Sequence, residues 1–300
     1  MSMLPFDDRD GVIWFDGKLV PWRDAKLHVL SHGLHYASCV FEGERAYNGV
    51  IFEMVQHHTR LRRSAEILGY ELPYSVEAIN AAAMDVLDAN KIVDGYVRPV
   101  AWRGSEMMGI SSQKSQIHVA LAAWEWPAYF APELRENGIR MMFAPWRRPA
   151  PDAAPTQSKA AGLYMICTLS KHAAEAKGYH DCLMLDHRGL IAEATGANVF
   201  LVQDGKLHTP IPDSFLNGIT RRTVIALARD RGIEVIERAI KPEELAKTSE
   251  VFLTGTAAEV TPVGEIEAYK FTVGQITQDL MAAYGDLVRN QKKPAAASAA

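Results

Sequence analysis

Apolar residues recur along the chain at two spacings, and segments of each kind are separated by turn residues. The runs VIWF and LV flank Asp16-Gly17, a pair favoured by two-residue turns, so this stretch predicts a β-hairpin. SHGLHYASCVFEGERAY reads as loop-rich, and GVIFEM after it as a short strand. In HTRLRRSAEILGY, Leu61, Ala65 and Leu68 fall at helical intervals and Gly69 suits the helix end. SVEAINAAAMDVLDANK predicts a second amphipathic helix, and YVRPVAWRG and QIHVALAAWEW predict buried strands. Residues 1–125 therefore predict a small N-terminal α+β domain.

Residues 126–137, WPAYFAPELREN, carry two prolines and predict an interdomain connector. Residues 138–290 predict a larger C-terminal α+β domain. Its strands are expected in IRMMFAPW, DCLMLD, LIAEAT, NVFLV, KLHT, VFLTG and EVTPV. Its helices are expected in AGLYMICTLSKHAAEAKG, in GITRRTVIALARDRG with Gly232 at its end, and in TVGQITQDLMAAYGDLVRN. The tail 291–300 is too poor in large apolar residues to pack and predicts disorder. No internal repeat stands out.

Composition narrows the function. Hydrophobic residues make up 48% of the 300 and charged residues 23%, ordinary for a globular enzyme. The net charge of -4 gives no electrostatic reason to expect nucleic acid or an anionic membrane. No apolar run reaches the ~20 residues that span a bilayer, and the acidic start MSMLPFDDRDG lacks a signal-peptide pattern. Cys39, Cys167 and Cys182 show no CxxC spacing and read as reduced thiols of a cytoplasmic protein.

The candidate chemistry centres on Lys159 in PTQSKAAGLY. A lysine that forms an imine must lose its proton near neutral pH, which requires partial burial or a cationic neighbour. Its small, uncharged flanks suit a packed pocket. Glu193, near the end of a predicted strand, is a carboxylate able to pin a heterocyclic nitrogen. LNGITRR places Asn217-Gly218-Ile219-Thr220 at a helix start, where free amides and the helix dipole favour an anion. GTAAEVTP offers a second small-residue turn. Each has a plainer reading alone: a surface lysine, a strand-end glutamate, a capped helix.

Taken together and in order, SHGLHYASCVFEG, YVRP, PTQSKAAGLY, EATGANVF, LNGITR and TGTAAEVTPV resemble the fold type IV aminotransferases that use pyridoxal phosphate. The branched-chain amino acid aminotransferases are the nearest match, over about residues 12–288. The resemblance implies a two-domain α+β fold, D-amino acid aminotransferase-like, with pyridoxal 5'-phosphate between the domains. It implies that Lys159 is the catalytic lysine and Glu193 the partner of the ring nitrogen. Tyr164 would bond the cofactor O3′, and Arg60 its phosphate. Leu216, Gly218, Ile219, Thr220 and Thr256 would complete the phosphate cup, with Gly196 against the ring.

The same resemblance implies a substrate site of Arg98, Tyr36, Tyr129, Phe41, Tyr96 and Ala257. Arg98 would meet the side-chain carboxylate of glutamate, a task that a fork-shaped guanidinium suits. The implied reaction is amino transfer between leucine, isoleucine or valine and 2-oxoglutarate. The implied assembly is a homodimer or larger, in which Tyr36 and the loop near Ile110 serve the neighbouring active site. WRGSEMMGISSQ departs from the family pattern, with an apolar Met107, Met108 and Ile110 and no evident role for Arg103 and Glu106. A D-amino acid or (R)-amine transaminase, an aminodeoxychorismate lyase-like enzyme and a cofactor carrier without turnover stay open.

Other features carry less. His28, His32 and His35 lack the HExxH glutamate, so no metal site is expected and core or turn roles fit them better. His57-His58 reads as a helix start. The pairs Arg62-Arg63 and Arg221-Arg222 read as solvated faces, with Arg62 close enough in sequence to assist a phosphate. Trp124 and Trp126 read as packing residues.

Overall fold

The computed structural model describes residues 5–126 and 133–291. Tyr129 and the tail beyond residue 291 lie outside the described residues.

The first part of the chain runs β1 (Val12–Phe15), β2 (Lys18–Pro21), α1 (His32–Tyr36), β3 (Cys39–Phe41), β4 (Glu44–Tyr47) and β5 (Val50–Ile51). It continues through α2 (Met54–Ile67), α3 (Val76–Ala89), β6 (Gly95–Arg103) and β7 (Ile117–Glu125). The hairpin forms as expected: Asp16 and Gly17 both take positive φ, 46° and 95°, the geometry that matches the twist of the flanking strands. The loop-rich stretch is more ordered than its composition suggests, since it contains α1, β3 and β4. These segments are too short to show a period, and the two strands are held by pairing with β6. The seven strands form one antiparallel sheet, ordered β2-β1-β7-β6-β4-β5, with β3 also on β6. The Ser75 side chain caps α3, accepting from Ala78 N at 3.2 Å. Ile79, Ala83, Val86 and Leu87 then pack with Leu61 and Ala65 of α2 and Val97 and Val119 of the sheet, all fully buried. His57 and His58 lie within α2 rather than at its start and are buried. Carboxylates explain this: His57 meets Glu42 at 2.7 Å and His58 meets Glu44 at 3.0 Å.

The second part runs α4 (Glu133–Asn137), β8 (Ile139–Phe143), α5 (Met165–Ala176), β9 (Asp181–Leu185), β10 (Ile191–Ala194), β11 (Asn198–Gln203) and β12 (Lys206–Pro210). It ends with α6 (Ile219–Asp230), β13 (Val235–Arg238), β14 (Glu250–Gly255), β15 (Glu259–Ile266), β16 (Tyr269–Lys270) and α7 (Gln275–Arg289). Its strands are ordered β10-β9-β8-β15-β14-β11-β12-β13. Glu193 of β10 also pairs with Asn198 of β11, so six strands close into a ring. The alternation along β11 shows why. Val199 and Leu201 point into one cluster with Ile139, Leu183, Leu253 and Val263. Phe200 and Val202 point the other way, against Val224, Leu280 and Tyr284 of α6 and α7. Phe200 pairs with Phe252 across the strands and the rings stack at 5.1 Å.

Arg221 corrects the expectation of a solvated basic pair: it is 1% exposed. Its guanidinium donates to Asn217 Oδ1, Pro210 O and Glu237 Oε2 at 2.7–3.0 Å, so burial leaves these donors satisfied. Arg62 donates to Tyr74 O at 3.1 Å and takes no part in the cavity described below. Trp124 packs as expected, its ring 5.2 Å from that of Tyr96.

Candidate active site

A cleft opens where the second sheet, the start of α6 and Arg60 of α2 converge. The segment carrying Lys159 crosses it. Ala160 bridges Val40, and Phe41 N donates to Lys159 O at 3.2 Å, which docks the segment on β3. Ser64 of α2 fixes it from below: its hydroxyl accepts from Lys159 N at 3.0 Å and its carbonyl from Ser158 Oγ at 2.9 Å. Gln157 and Thr156 donate to the carbonyls of Asp213 and Phe215 on the far side. With the backbone fixed at both ends, the Lys159 amine points inward, donates to Tyr164 Oη at 2.8 Å and lies 5.0 Å from the centre of the Phe41 ring.

Glu193 lines the same cleft from the point where the strand ring closes. Burial pushes its carboxyl up to about 7, against the opposing pull of Arg148 and Lys159. Arg148 Nε lies 3.3 Å from Glu193 Oε1, and the two side chains are 5% and 13% exposed. Asn198 Nδ2 donates to Glu193 Oε2 at 3.2 Å and to Leu216 O at 3.0 Å, while its Oδ1 accepts from Gly218 N at 3.2 Å. One amide thus locks the acid to the loop before α6. A Cβ on Gly218 would come within 2.3 Å of that Oδ1, so a side chain there would displace the Asn198 amide.

At the other end stand Arg60 and the first residues of α6, whose leading amides have no partner within the helix. Arg60 directs Nε and Nη2 to Glu42, both at 2.7 Å. Burial opposes the charge on Glu42, but Arg60 and His57 overcome this and hold its carboxyl far below the usual range.

Lys159 and all nine of the cofactor residues expected from the sequence (Arg60, Tyr164, Glu193, Gly196, Leu216, Gly218, Ile219, Thr220 and Thr256) line this one cavity. Of the substrate residues, Phe41, Tyr96 and Arg98 form a connected edge beside it. Phe41 meets Tyr164 edge-on at 4.8 Å, Arg98 lies 4.8 Å above the Phe41 ring, and Arg98 Nη2 donates to Tyr96 Oη at 3.3 Å. Ala257 follows Thr256 in the turn between β14 and β15. Tyr36 and Ile110 do not line this cavity and are 44% and 90% exposed.

Those two residues share a support. His32 stacks on Tyr36 at 4.6 Å, and its Nε2 lies 2.8 Å from Gly109 O. A carbonyl only accepts, so Nε2 carries a proton, and Nδ1 lies 2.9 Å from Ser38 Oγ. Arg103 also acquires a role: it donates to Ser112 O and Gly69 O at 2.9 and 2.8 Å, bracing the loop. Glu106 does the same from the other side by accepting from Gln116 N at 3.0 Å.

Arg148, Asn198, Ser64 and Glu42 complete the site, although the sequence pattern does not single them out. Arg148 hides in a basic Pro-rich stretch. Asn198 had one visible sign, a polar residue opening an apolar strand. The cleft also holds an unanswered polar atom: Thr254 Oγ1 is buried in its wall without a hydrogen-bond partner among the described residues. A Cβ on Gly196 would meet nothing within 4 Å, so the wall leaves space for a ring. An amine, an acid and an anion cup around one cavity match the three handles of pyridoxal phosphate. No group of three or more metal-ligating side chains occurs among the described residues, and none of their helices is long and apolar enough to cross a membrane.

Comparison with known proteins agrees with this geometry. The model of the amino-transferase class IV family matches residues 39–266. The chain is 41% identical over 295 residues to the branched-chain-amino-acid aminotransferase of Pseudomonas aeruginosa, covering 96% of this chain and 95% of that one. The crystal structure of the Escherichia coli branched-chain amino acid aminotransferase superposes with a TM-score of 0.91 at 38% identity, covering 95% of this chain and 97% of that one. The branched-chain amino acid aminotransferase of Thermobaculum terrenum, solved in its PLP-bound form, gives 0.85 at 30% identity, covering 94% and 95%. By its sequence match and by the arrangement of its cleft, this chain belongs to the class IV aminotransferases.

Proposed function

We propose that the chain catalyses reversible amino transfer between branched-chain L-amino acids (leucine, isoleucine, valine) and 2-oxoglutarate, with pyridoxal 5'-phosphate as cofactor. The observation that carries this reading is the convergence of Lys159, Tyr164 and Glu193 on one cleft. The names of the relatives supply the substrate class.

When bound, pyridoxal phosphate supplies an electron sink for the substrate Cα and carries the amino group between half-reactions. The chain supplies the rest. Lys159 Nζ moves the proton at the substrate Cα, and Tyr164 holds that amine in place through the 2.8 Å contact. Glu193 holds a proton on the ring nitrogen; Arg148 and Asn198 fix its two oxygens. Arg60, Thr220, Thr256 and the amides near Leu216, Gly218 and Ile219 hold the phosphate, with Gly196 beside the ring.

At the substrate edge, Phe41 provides an apolar wall, Arg98 meets the glutamate side-chain carboxylate, and Tyr96, Thr256 and Ala257 receive the α-carboxylate. Tyr129 would assist through its hydroxyl. Tyr36 and Ile110 complete the pocket of a second copy, so the working unit is a homodimer or larger. The halves 1–125 and 138–290 would act as two domains joined by 126–137, in a cytoplasmic protein. The test is a visible spectrum of the purified protein before and after L-leucine, with D-alanine as the contrast. Spectral change and turnover with L-leucine are expected; turnover with D-alanine alone would replace this reading by a D-specific one. A cofactor band unchanged by any amino acid would indicate a carrier.

A further inference from the structure

The turn that brings Thr256 into the cleft is closed by a residue in an uncommon conformation. Gly255 pairs with Glu259, leaving Thr256, Ala257 and Ala258 as a three-residue loop. Glu259 sits at φ 53°, in the left-handed region that glycine normally occupies at such a position. A non-glycine residue there carries backbone strain, and its surroundings determine whether it is held.

Three elements provide that determination. Tyr47 Oη, at the end of β4, donates to Glu259 Oε1 at 2.9 Å. Arg289 Nη2, at the end of α7, donates to the same oxygen at 3.2 Å. Arg135 Nη2, in α4, donates to Oε2 at 3.3 Å. The Glu259 side chain is 12% exposed and its bond from Tyr47 is buried, whereas Arg135 and Arg289 reach it from the surface with side chains 55% and 47% exposed. Burial, then Tyr284 and Glu259, push the Tyr47 phenol far above its ordinary value, so it stays a donor. Thr261 Oγ1 donates to Ala258 O at 2.6 Å and adds a second tie on the loop. Glu259 itself does not line the cavity.

We infer that Glu259 is a positioning residue for the substrate-carboxylate subsite: it anchors the 256–258 loop to the first sheet, α4 and the last helix, and so aims the Thr256 and Ala257 amides. This inference rests on the amino-transfer reading and names a determinant within that site. If backbone conformation alone mattered, glycine would serve at least as well as glutamate. Two variants separate the cases: Glu259→Gly frees the backbone and removes the anchor, and Glu259→Gln keeps the shape but removes the charge.

The experiment uses the holoenzyme. A plain carboxylic acid, 4-methylpentanoate, is titrated while the visible cofactor band is recorded, and steady-state kinetics are run with L-leucine. Both variants should raise the carboxylate Kd and the L-leucine KM by about tenfold, the worth of one well-aimed hydrogen bond. kcat should stay within about twofold and the cofactor band should not move, because the reacting groups are untouched. Tyr47→Phe should fall between, near threefold by the same scale. A wild-type Kd in Glu259→Gly, or a loss of kcat at constant KM, would overturn the inference. If Glu259→Gly does not fold by circular dichroism, Glu259→Gln and Tyr47→Phe decide it by the same criteria. A wild-type enzyme inert towards L-leucine would instead refute the amino-transfer reading, while the carboxylate titration would still report on Glu259.

Discussion

The cofactor end of the cleft and the tip formed by Tyr36 and Ile110 are built on opposite principles. In the cleft, Lys159, Glu193 and Arg60 each bond a partner from a different element. The tip is exposed at its ends and braced at its base by His32, Arg103 and Glu106. The first arrangement is complete within one chain. The second uses buried hydrogen bonds to hold apolar side chains out in water, which is unfavourable for a lone chain and sensible for one that hands them to a neighbour. In the homodimer proposed above, chemistry and substrate choice would be divided between copies.

The largest expected effect breaks the interior set. Lys159→Ala should lower turnover by more than about 1000-fold, because the proton-moving amine is lost; single-turnover assays with L-leucine measure it, and near wild-type rates would contradict the assignment.

Next, Arg148→Met should destabilise the protein by about 2–4 kcal/mol, since it leaves Glu193 buried beside an unanswered lone pair. Denaturant titration reads this out. Arg148→Lys should rescue little of it, because lysine lacks the fork that also reaches Ser214 O and Leu163 O. Full rescue would mean that charge alone matters.

A smaller effect follows from Glu193 in the cofactor-free protein. Its carboxyl stands at about 7 against an ordinary value of 4.5. Folding therefore favours the protonated form. That contribution is fully present below the ordinary value and is lost as pH rises through about 7. Glu193→Gln cannot ionise, so its stability relative to wild type should rise by roughly 1–3 kcal/mol across that window. Parallel melting curves of the two proteins would disprove this.

The smallest effect on the isolated chain should come from the tip. Ile110→Ser should change stability by less than about 0.5 kcal/mol and leave the cofactor spectrum unchanged. The L-leucine KM should nevertheless rise about fivefold, roughly the loss of one apolar contact. An unchanged KM would show that the tip reaches no substrate.

Much of this molecule was legible in its sequence because the relevant rules are local. The Asp16-Gly17 turn, the helix within SVEAINAAAMDVLDANK and the strand NVFLV each follow from neighbours a few residues apart. Loop 39–47 was harder, since β3 and β4 are short and both pair with β6, about 50 to 60 residues further along the chain. The His57 and Arg221 environments were illegible for a related reason: a charged residue reads as exposed until its buried partners are known.

The sequence by itself determined the kinds of chemistry available and their order along the chain: an amine in a small-residue segment, an acid at a strand end, amides at a helix start. Tertiary structure alone decided which polar residues serve them. Ser64 meets Lys159 across 95 positions, and Asn198 reaches both Glu193 and Gly218 from a strand that pairs with β10. Local patterns fix conformation through steric and capping rules, whereas the worth of a buried polar side chain depends on what the whole fold places within about 3 Å of it.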